Sequence, residues 1–353
     1  MKKILLTGGG TAGHVTPNIA LMPYLKELGF EISYMGSYNG VEKGLIEELG
    51  IPYTGIDSGK LRRYLSLQNL KDPFHVLRGF READSYMKKN RPDVVFSKGG
   101  FVAVPVVWAA HRNHIPAVIH ESDLSPGLAN KLCIGKADVV CYSFPETGEL
   151  VAKAKKAVCT GLPVRDSLLS GSREKALEFC GFSDDKPILM SIGGSLGSVR
   201  VNEAVRASLP GLLEKFNVIH LCGKEKVDES INFPGYVQYE YINEELPDLY
   251  AAADVLISRA GSNVIHEIVS LKKPSVLIPL DLNASRGDQI ENAESFKKQG
   301  FCEVLREADL TEGALAETVN RVYENRASYI GAMKNSHQAN SAETIAGIIA
   351  GLV

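Results

Sequence analysis

The stretch that most constrains the fold is Lys3-Ile4-Leu5-Leu6-Thr7-Gly8-Gly9-Gly10-Thr11-Ala12-Gly13-His14-Val15-Thr16-Pro17. An apolar run of strand length breaks into three glycines, and Thr16-Pro17 then supplies a helix N-cap followed by proline in the first turn. The pattern is strand, tight turn, helix start. Glycine lets backbone N–H groups come close to a ligand, and the following helix aims its positive end at the same place, which suits a phosphate or another anion. His14 is the titratable group of this turn, and an imidazole titrating near neutrality is fitted to take a proton from a hydroxyl. A loop histidine that only caps or packs accounts for it as well at this level. The glycine spacing is not the dinucleotide fingerprint G-x-G-x-x-G in register, which counts against a nicotinamide-dependent dehydrogenase.

The same alternation continues down the chain. Strands are expected at Lys3–Thr7, Glu31–Gly36, Asp93–Ser97, Ala117–His120, Asp138–Tyr142 and Ala157–Thr160, with helices such as Pro17–Leu28, Pro73–Lys89 and Val102–Asn113 between them. Strands alternating with helices of this length form βαβ units and a parallel sheet. Cap-plus-proline pairs at Thr16-Pro17, Asp72-Pro73 and Ser125-Pro126 mark helix starts. Gly161-Leu162-Pro163-Val164-Arg165 reads as a connector, after which strands return at Pro187–Ile192, Val218–Cys222, Tyr236–Ile242, Asp254–Ser258, Ser275–Leu280 and Cys302–Leu305. The fold class is therefore α/β, with two doubly wound parallel sheets in series and a cleft between domains. The domains are expected at 1–161 and 162–335, with an apolar helical segment at 336–353 crossing back to the first; 353 residues suffice for two cores.

Charge and cysteine usage narrow the class. A net charge of −3 gives no overall field that recruits nucleic acid. Six cysteines lie scattered without a C-x-x-C pair, as buried free thiols of a reducing compartment do, and argue against a zinc site or a disulfide framework. No apolar run approaches the roughly 18 residues of a membrane span. The span Lys60 to Arg91 holds nine Lys/Arg against three acids, interleaved with Leu61, Tyr64, Leu65, Leu67, Phe74, Leu77 and Phe80. Such a mixture at Leu61–Leu67 suits an anionic membrane surface; the alternative is a solvated amphipathic helix with Leu70, Phe74, Leu77 and Met87 facing the core.

Several strand-to-helix turns carry polar chemistry. Ser191-Ile192-Gly193-Gly194-Ser195-Leu196-Gly197-Ser198 repeats the logic of the opening turn and makes a diphosphate cradle, or an ordinary turn with Ser195 as N-cap. In the turn from Arg259 to Glu267, Glu267 is placed to accept the hydroxyls of a ribose or, more plainly, to complement a helix dipole, while His266 is expected to pack. Asp288 and Gln289, opening a helix after a polar loop, could hold sugar hydroxyls or face solvent. Ser97-Lys98-Gly99-Gly100-Phe101-Val102 and His120-Glu121-Ser122-Asp123 follow strands and are expected to project toward the same cleft.

Taken together these stretches resemble the MurG family, the undecaprenyl-diphospho-muramoylpentapeptide N-acetylglucosaminyltransferases of peptidoglycan synthesis, over essentially the whole chain. The resemblance is carried by Gly8–His14, Gly99-Gly100-Phe101-Val102, His120-Glu121, Gly127-Leu128-Ala129-Asn130-Lys131, Pro163-Val164-Arg165, Gly193-Gly194-Ser195-Leu196-Gly197, Arg259-Ala260-Gly261-Ser262 through Glu267, Asp288-Gln289 and Asn292-Ala293. It implies two Rossmann-like domains (the GT-B fold), the C-terminal one for UDP-GlcNAc and the N-terminal one for the lipid-linked acceptor. By that analogy Thr11, Ala12 and Gly13 approach the donor, Arg165 and Ile242 the uracil region and Ser195 the diphosphate. Ser262, Asn263 and Glu267 line the ribose and sugar, Gln289 holds GlcNAc hydroxyls, and Asp123 stands where the family commonly has a sugar-contacting Asn. Ala12, Ala260, Ser262 and Asn263 also depart from the commonest pattern.

The implied reaction is transfer of GlcNAc with inversion to the C4 hydroxyl of MurNAc in lipid I, giving lipid II, with His14 as general base. The chain has no D-x-D pair, so no metal is expected at the site and no cofactor beyond UDP-GlcNAc as substrate. The expected location is the cytoplasmic face of the cell membrane, held peripherally, with other cell-wall synthesis proteins as further partners. A UDP-GlcNAc epimerase, another UDP-sugar:lipid transferase or a non-catalytic recruiter are the competing readings of the same architecture.

Overall fold

Strands covered on both faces read as short apolar runs rather than as alternating ones, and this chain supplies two sets. The computed structural model describes residues 2–59, 72–193, 197–282, 286–336, 338 and 340–353. It divides into one unit of Met1–Arg165 with Asn340–Val353, and a second of Asp166–Ala339. In the first, β1 (Lys2–Thr7), β2 (Phe30–Ser37), β3 (Tyr53–Ile56), β4 (Val94–Ser97), β5 (Ala117–Glu121), β6 (Val139–Tyr142) and β7 (Ala157–Cys159) form a parallel sheet in the order β3-β2-β1-β4-β5-β6-β7. In the second, β8 (Ile188–Ile192), β9 (Asn217–Leu221), β10 (Tyr236–Tyr239), β11 (Val255–Ser258), β12 (Ser275–Leu277) and β13 (Glu303–Val304) run in the order β10-β9-β8-β11-β12-β13.

β1 shows how the layers form. Successive side chains leave a strand on opposite faces. Ile4 and Leu6 pack with Leu21 and Leu25 of helix Thr16–Glu27 and with Ile345 and Ile349 of the closing helix Ser341–Ala350. Leu5 points the other way, among Met87, Val106 and Val107. Each such side chain, fully buried, contributes about 1.5–3 kcal/mol, so the first sheet is held from both sides. The last helix completes one of its two apolar layers.

Local expectations fail where tertiary contacts compete. β3 has no counterpart among the expected strands: Tyr53, Thr54 and Gly55 are half-exposed on an edge, so the segment lacks an apolar run. Thr16 is not an N-cap. A 3-10 turn at Ala12–His14 leads into the helix, Val15 occupies the cap position, and the Thr16 hydroxyl donates to the Ala12 carbonyl at 3.1 Å. Ser125-Pro126 likewise precedes the helix Leu128–Cys133, whose cap is Gly127. Helix Asp72–Asn90 buries Met87, but Phe74 is 74% and Leu77 46% exposed, so these two do not face the core. Five cysteines are buried and Cys159 is exposed.

Candidate functional site

In a doubly wound sheet, ligands bind outside the carboxyl ends of the strands where the strand order reverses. That point lies beside β1 and β4 in the first unit and beside β8 and β11 in the second. Thr7 pairs with Ser97 and Ile192 with Ser258. The segments leaving these four strands are Gly8–His14, Lys98–Val102, Gly193 with Gly197 and Ser198 among the described residues, and Arg259–Gly261, which belong to the stretches the sequence marked for chemistry.

In the first unit the two turns interlock. Gly100 has φ +84°, and a Cβ there would lie 2.2 Å from the Gly9 carbonyl oxygen, so only glycine fits. The glycine turn is braced from below by Tyr34, whose hydroxyl donates to the Gly8 carbonyl at 2.7 Å. It is braced from the side by Glu42, a fully buried carboxylate. Glu42 accepts from the Gly10 N–H at 3.2 Å, from the Ser37 N–H at 2.9 Å and from the Ser37 hydroxyl at 2.5 Å.

His14 ends this turn with Nδ1 at 3.0 Å from the Gly9 carbonyl oxygen and 3.2 Å from the Thr11 hydroxyl. A carbonyl only accepts, so the bond to Gly9 places the proton on Nδ1 and leaves the Nε2 lone pair free to take another. Burial, reinforced by the Lys98 charge, pushes the His14 pKa down to about 4, against the opposing pull of the Gly9 carbonyl, Asp123 and Glu42. The imidazole is therefore neutral at pH 7.

Lys98 follows β4 and is 1% exposed. Its backbone N–H donates to the Thr7 carbonyl at 2.9 Å, and burial lowers its pKa to about 8 against the pull of Glu121 and Asp123. His120 and Glu121 do not project outward as expected. His120 is buried with Nε2 at 2.8 Å from the Gly161 carbonyl oxygen. Glu121 accepts from the N–H groups of Ser122, Asp123 and Gly127 and from the Asn130 amide at 2.8–3.0 Å, which fixes the loop carrying Asp123.

The second unit holds a pocket of about 580 Å³ lined by Gly193, Gly197, Ser198, Tyr250, Arg259, Asn263, Glu267 and Gln289, among others. Gly197 has φ +66°, and a Cβ there would meet the Cys222 carbonyl oxygen at 1.9 Å. Ser198 caps helix Val199–Leu212, accepting from the Val201 N–H at 3.3 Å. Arg259 ties the walls together. It donates to Ser198 Oγ at 2.5 Å and to the Ile278 and Pro279 carbonyls at 3.1 and 3.4 Å, and pairs with Glu307. Glu267 lies past the first turn of helix Ser262–Ser270, where a dipole role is weak, and faces the Tyr250 hydroxyl at 3.5 Å. Gln289 accepts from the Leu280 N–H at 3.1 Å.

The remaining candidates fall as follows. Thr11 and Ala12 are exposed and Gly13 half-buried on the first turn. Asp123 is half-buried in the same unit, and Arg165 ends it. Ser262 is 8% exposed and turns toward His266, which is buried edge-on against Phe296. Ile242 is half-buried after β10, away from the described pocket lining. Ser195 and Leu61–Leu67 lie outside the described residues. Sequence reasoning passed over Glu42, Ser198 and Tyr250; a glutamate opening the short helix Val41–Glu47 after a glycine was the only local sign of the first.

Residues 4–141 match the glycosyltransferase family 28 N-terminal domain, and residues 188–347 that family's C-terminal domain. The chain is 60% identical to a UDP-N-acetylglucosamine–N-acetylmuramyl-(pentapeptide) pyrophosphoryl-undecaprenol N-acetylglucosamine transferase of Lachnoclostridium phytofermentans, over 99% of this chain and 98% of that one. It is 57% identical to the Lachnospira eligens protein of the same name, over 99% of each. Among solved structures it is similar to Acinetobacter baumannii MurG, with a TM-score of 0.76 and 26% identity over 99% of both chains.

Proposed function

The chain belongs to glycosyltransferase family 28, within its MurG transferases, and from that premise we propose how its residues divide the work. The enzyme transfers GlcNAc from UDP-GlcNAc to the lipid-linked MurNAc-pentapeptide, converting lipid I to lipid II. The observation that carries the mechanism is the Nδ1 contact of His14 with Gly9, which leaves Nε2 as an acceptor in a neutral ring. Nε2 takes the proton of the MurNAc C4 hydroxyl as its oxygen bonds to the anomeric carbon of UDP-α-GlcNAc. The bond from that carbon to the diphosphate breaks with inversion, and UDP departs. General-base assistance of this kind is worth about 10²–10⁴-fold.

The second-unit pocket is the donor site in this reading. Glu267 accepts ribose or sugar hydroxyls, Asn263 and Gln289 hold the sugar, and the Gly193–Ser198 turn with the start of helix Val199–Leu212 receives the diphosphate charge. Thr11, Ala12 and Gly13 approach the donor and Asp123 the sugar, with Arg165 and Ile242 toward uracil and Ser195 and Ser262 on the diphosphate and ribose. No metal takes part. The chain docks peripherally on the cytoplasmic membrane face through Leu61–Leu67. Exposed Phe74 and Leu77, with Arg78, Arg81, Lys88 and Lys89 on the same helix, support this placement. No helix among the described residues is long and apolar enough to cross a membrane.

Radiolabelled UDP-GlcNAc incubated with a lipid I analogue should yield labelled lipid at the same rate with and without EDTA. Absence of lipid-linked label overturns the transfer reading, and loss of rate in EDTA overturns the metal-free one.

A further inference from the structure

The first unit holds a second cavity, which the division of work above leaves without a role. It measures about 350 Å³ and opens at the carboxyl ends of β2 and β3, within the size range of small-ligand pockets. Three large apolar side chains stand exposed around it, Tyr38, Val41 and Phe101, a cluster that the unit itself does not cover. The Tyr38 wall is fixed in advance: its ring lies over Gly55, where an added Cβ would meet it at 2.8 Å, and its hydroxyl is bonded to Glu82. Asn39 and Ser58 add an amide and a hydroxyl, groups that pair with peptide N–H and C=O. The two acids of the lining are already engaged. Glu42 accepts from Gly10 and Ser37, and the Asp57 carboxylate meets His75 Nδ1 at 2.9 Å and Arg78 Nε at 4.0 Å. No lysine, arginine or histidine is among the described lining residues, so the cavity suits amide and alkyl groups rather than a phosphate.

Its place beside His14 decides which part of a substrate reaches it. One peptide unit, Gly9–Gly10, separates the two: its carbonyl accepts from His14 Nδ1 at 3.0 Å, and its N–H donates to Glu42, a lining residue, at 3.2 Å. The carbonyl and N–H of a trans peptide point in opposite directions, so the cavity begins one backbone thickness from the imidazole. MurNAc carries its peptide on the lactyl ether at C3, the carbon next to the reacting C4 hydroxyl, whereas its diphosphate sits on C1 across the ring. With C4 at His14, the peptide is the part of the acceptor that starts nearest the cavity.

We propose that this cavity binds the start of the acceptor's peptide, its apolar groups against Tyr38 and Val41 and its amides on Asn39 and Ser58, and so helps aim the C4 hydroxyl at His14. The assignment rests on the transferase reading above. The test compares two acceptors on the full chain with radiolabelled UDP-GlcNAc: a lipid I analogue with its pentapeptide, and the same analogue with the lactyl carboxyl capped as a methylamide. In the wild-type enzyme the capped acceptor should have a KM about tenfold higher, the size of one or two neutral hydrogen bonds. Val41→Trp, at an exposed position, fills the cavity and should raise the KM of the pentapeptide acceptor until the two acceptors no longer differ. Equal KM values in the wild-type enzyme overturn the assignment, as does a folded Val41→Trp enzyme that keeps the difference. Should Val41→Trp fail to fold, Asn39→Ala replaces it: a narrowed difference supports the assignment and an unchanged one overturns it. A wild-type enzyme that transfers sugar to neither acceptor refutes the transferase reading itself, whereas transfer to both with one KM refutes only the peptide site.

Discussion

The glycine turns after β1 and β8 share a plan, strand then glycines then helix, but their surroundings differ in kind. The first turn is braced by a buried carboxylate, Glu42, and with the turn beside it carries two groups whose burial favours the uncharged form, His14 lowered to about 4 and Lys98 to about 8. The second turn is braced by Arg259, whose charge is matched by Glu307, and borders a 580 Å³ pocket presenting Asn263, Glu267 and Gln289. One scaffold thus carries buried titratable side chains in one unit and a hydrogen-bonding cavity in the other. Rossmann-type turns are general; what they do depends on which side chains the rest of the unit delivers to them.

That contrast can be broken most sharply at His14. His14→Ala should reduce kcat by about 10²–10⁴-fold while UDP binding by calorimetry stays at the wild-type value, because the ring acts on the acceptor hydroxyl and not on the nucleotide. Near-wild-type kcat at saturating substrates would remove the base assignment.

Glu42→Ala should act on stability first. It strands the Gly10 and Ser37 donors in a buried site, at a cost of about 1–3 kcal/mol, read as a lowered urea midpoint. An unchanged midpoint would show that the carboxylate does not brace the turn. Glu267→Gln tests the other half: the donor KM should rise about tenfold, as for one hydrogen bond to a charged group, with kcat less affected. An effect confined to kcat would contradict a binding role.

The smallest expected effect is in pH. The folded His14 pKa lies below the ordinary imidazole value of 6.5, so the neutral base is fully present above 6.5 and is lost only as pH falls through about 4. Between those values the unfolded chain binds more protons, so this group's contribution to stability also declines as pH falls. A kcat/KM profile should place the acidic limb of the free enzyme near 4, and Lys98→Met should move it upward, since burial remains but the Lys98 repulsion is gone. A limb at 6.5 in the wild-type enzyme would mean that His14 is solvated.

Much of the architecture was legible because buried parallel strands must be apolar and glycine turns must lack Cβ atoms. β1, β4, β8 and β11 and the turns that follow them could be read directly. β3 could not, since an edge strand with half-exposed residues has no hydrophobic run to mark it. Thr16 was misread as a cap because the local rule does not anticipate a 3-10 turn running into the helix. Of the two readings of the basic stretch, the one that faces Phe74 and Leu77 to the core fails, because the helix shows them to solvent.

The order of residues by itself determined two parallel sheets, their glycine turns and the imidazole at position 14, since these follow from local periodicity and from what a chain without Cβ can do. Only the tertiary structure decided that Glu42, 32 residues from Gly10, holds that turn. It alone decided that Lys98 is buried without a hydrogen-bond partner among the described residues. Those depend on which distant segments meet, and the removal of water that follows is what shifts a charge, saturates a carboxylate or leaves an ammonium without a hydrogen-bond partner.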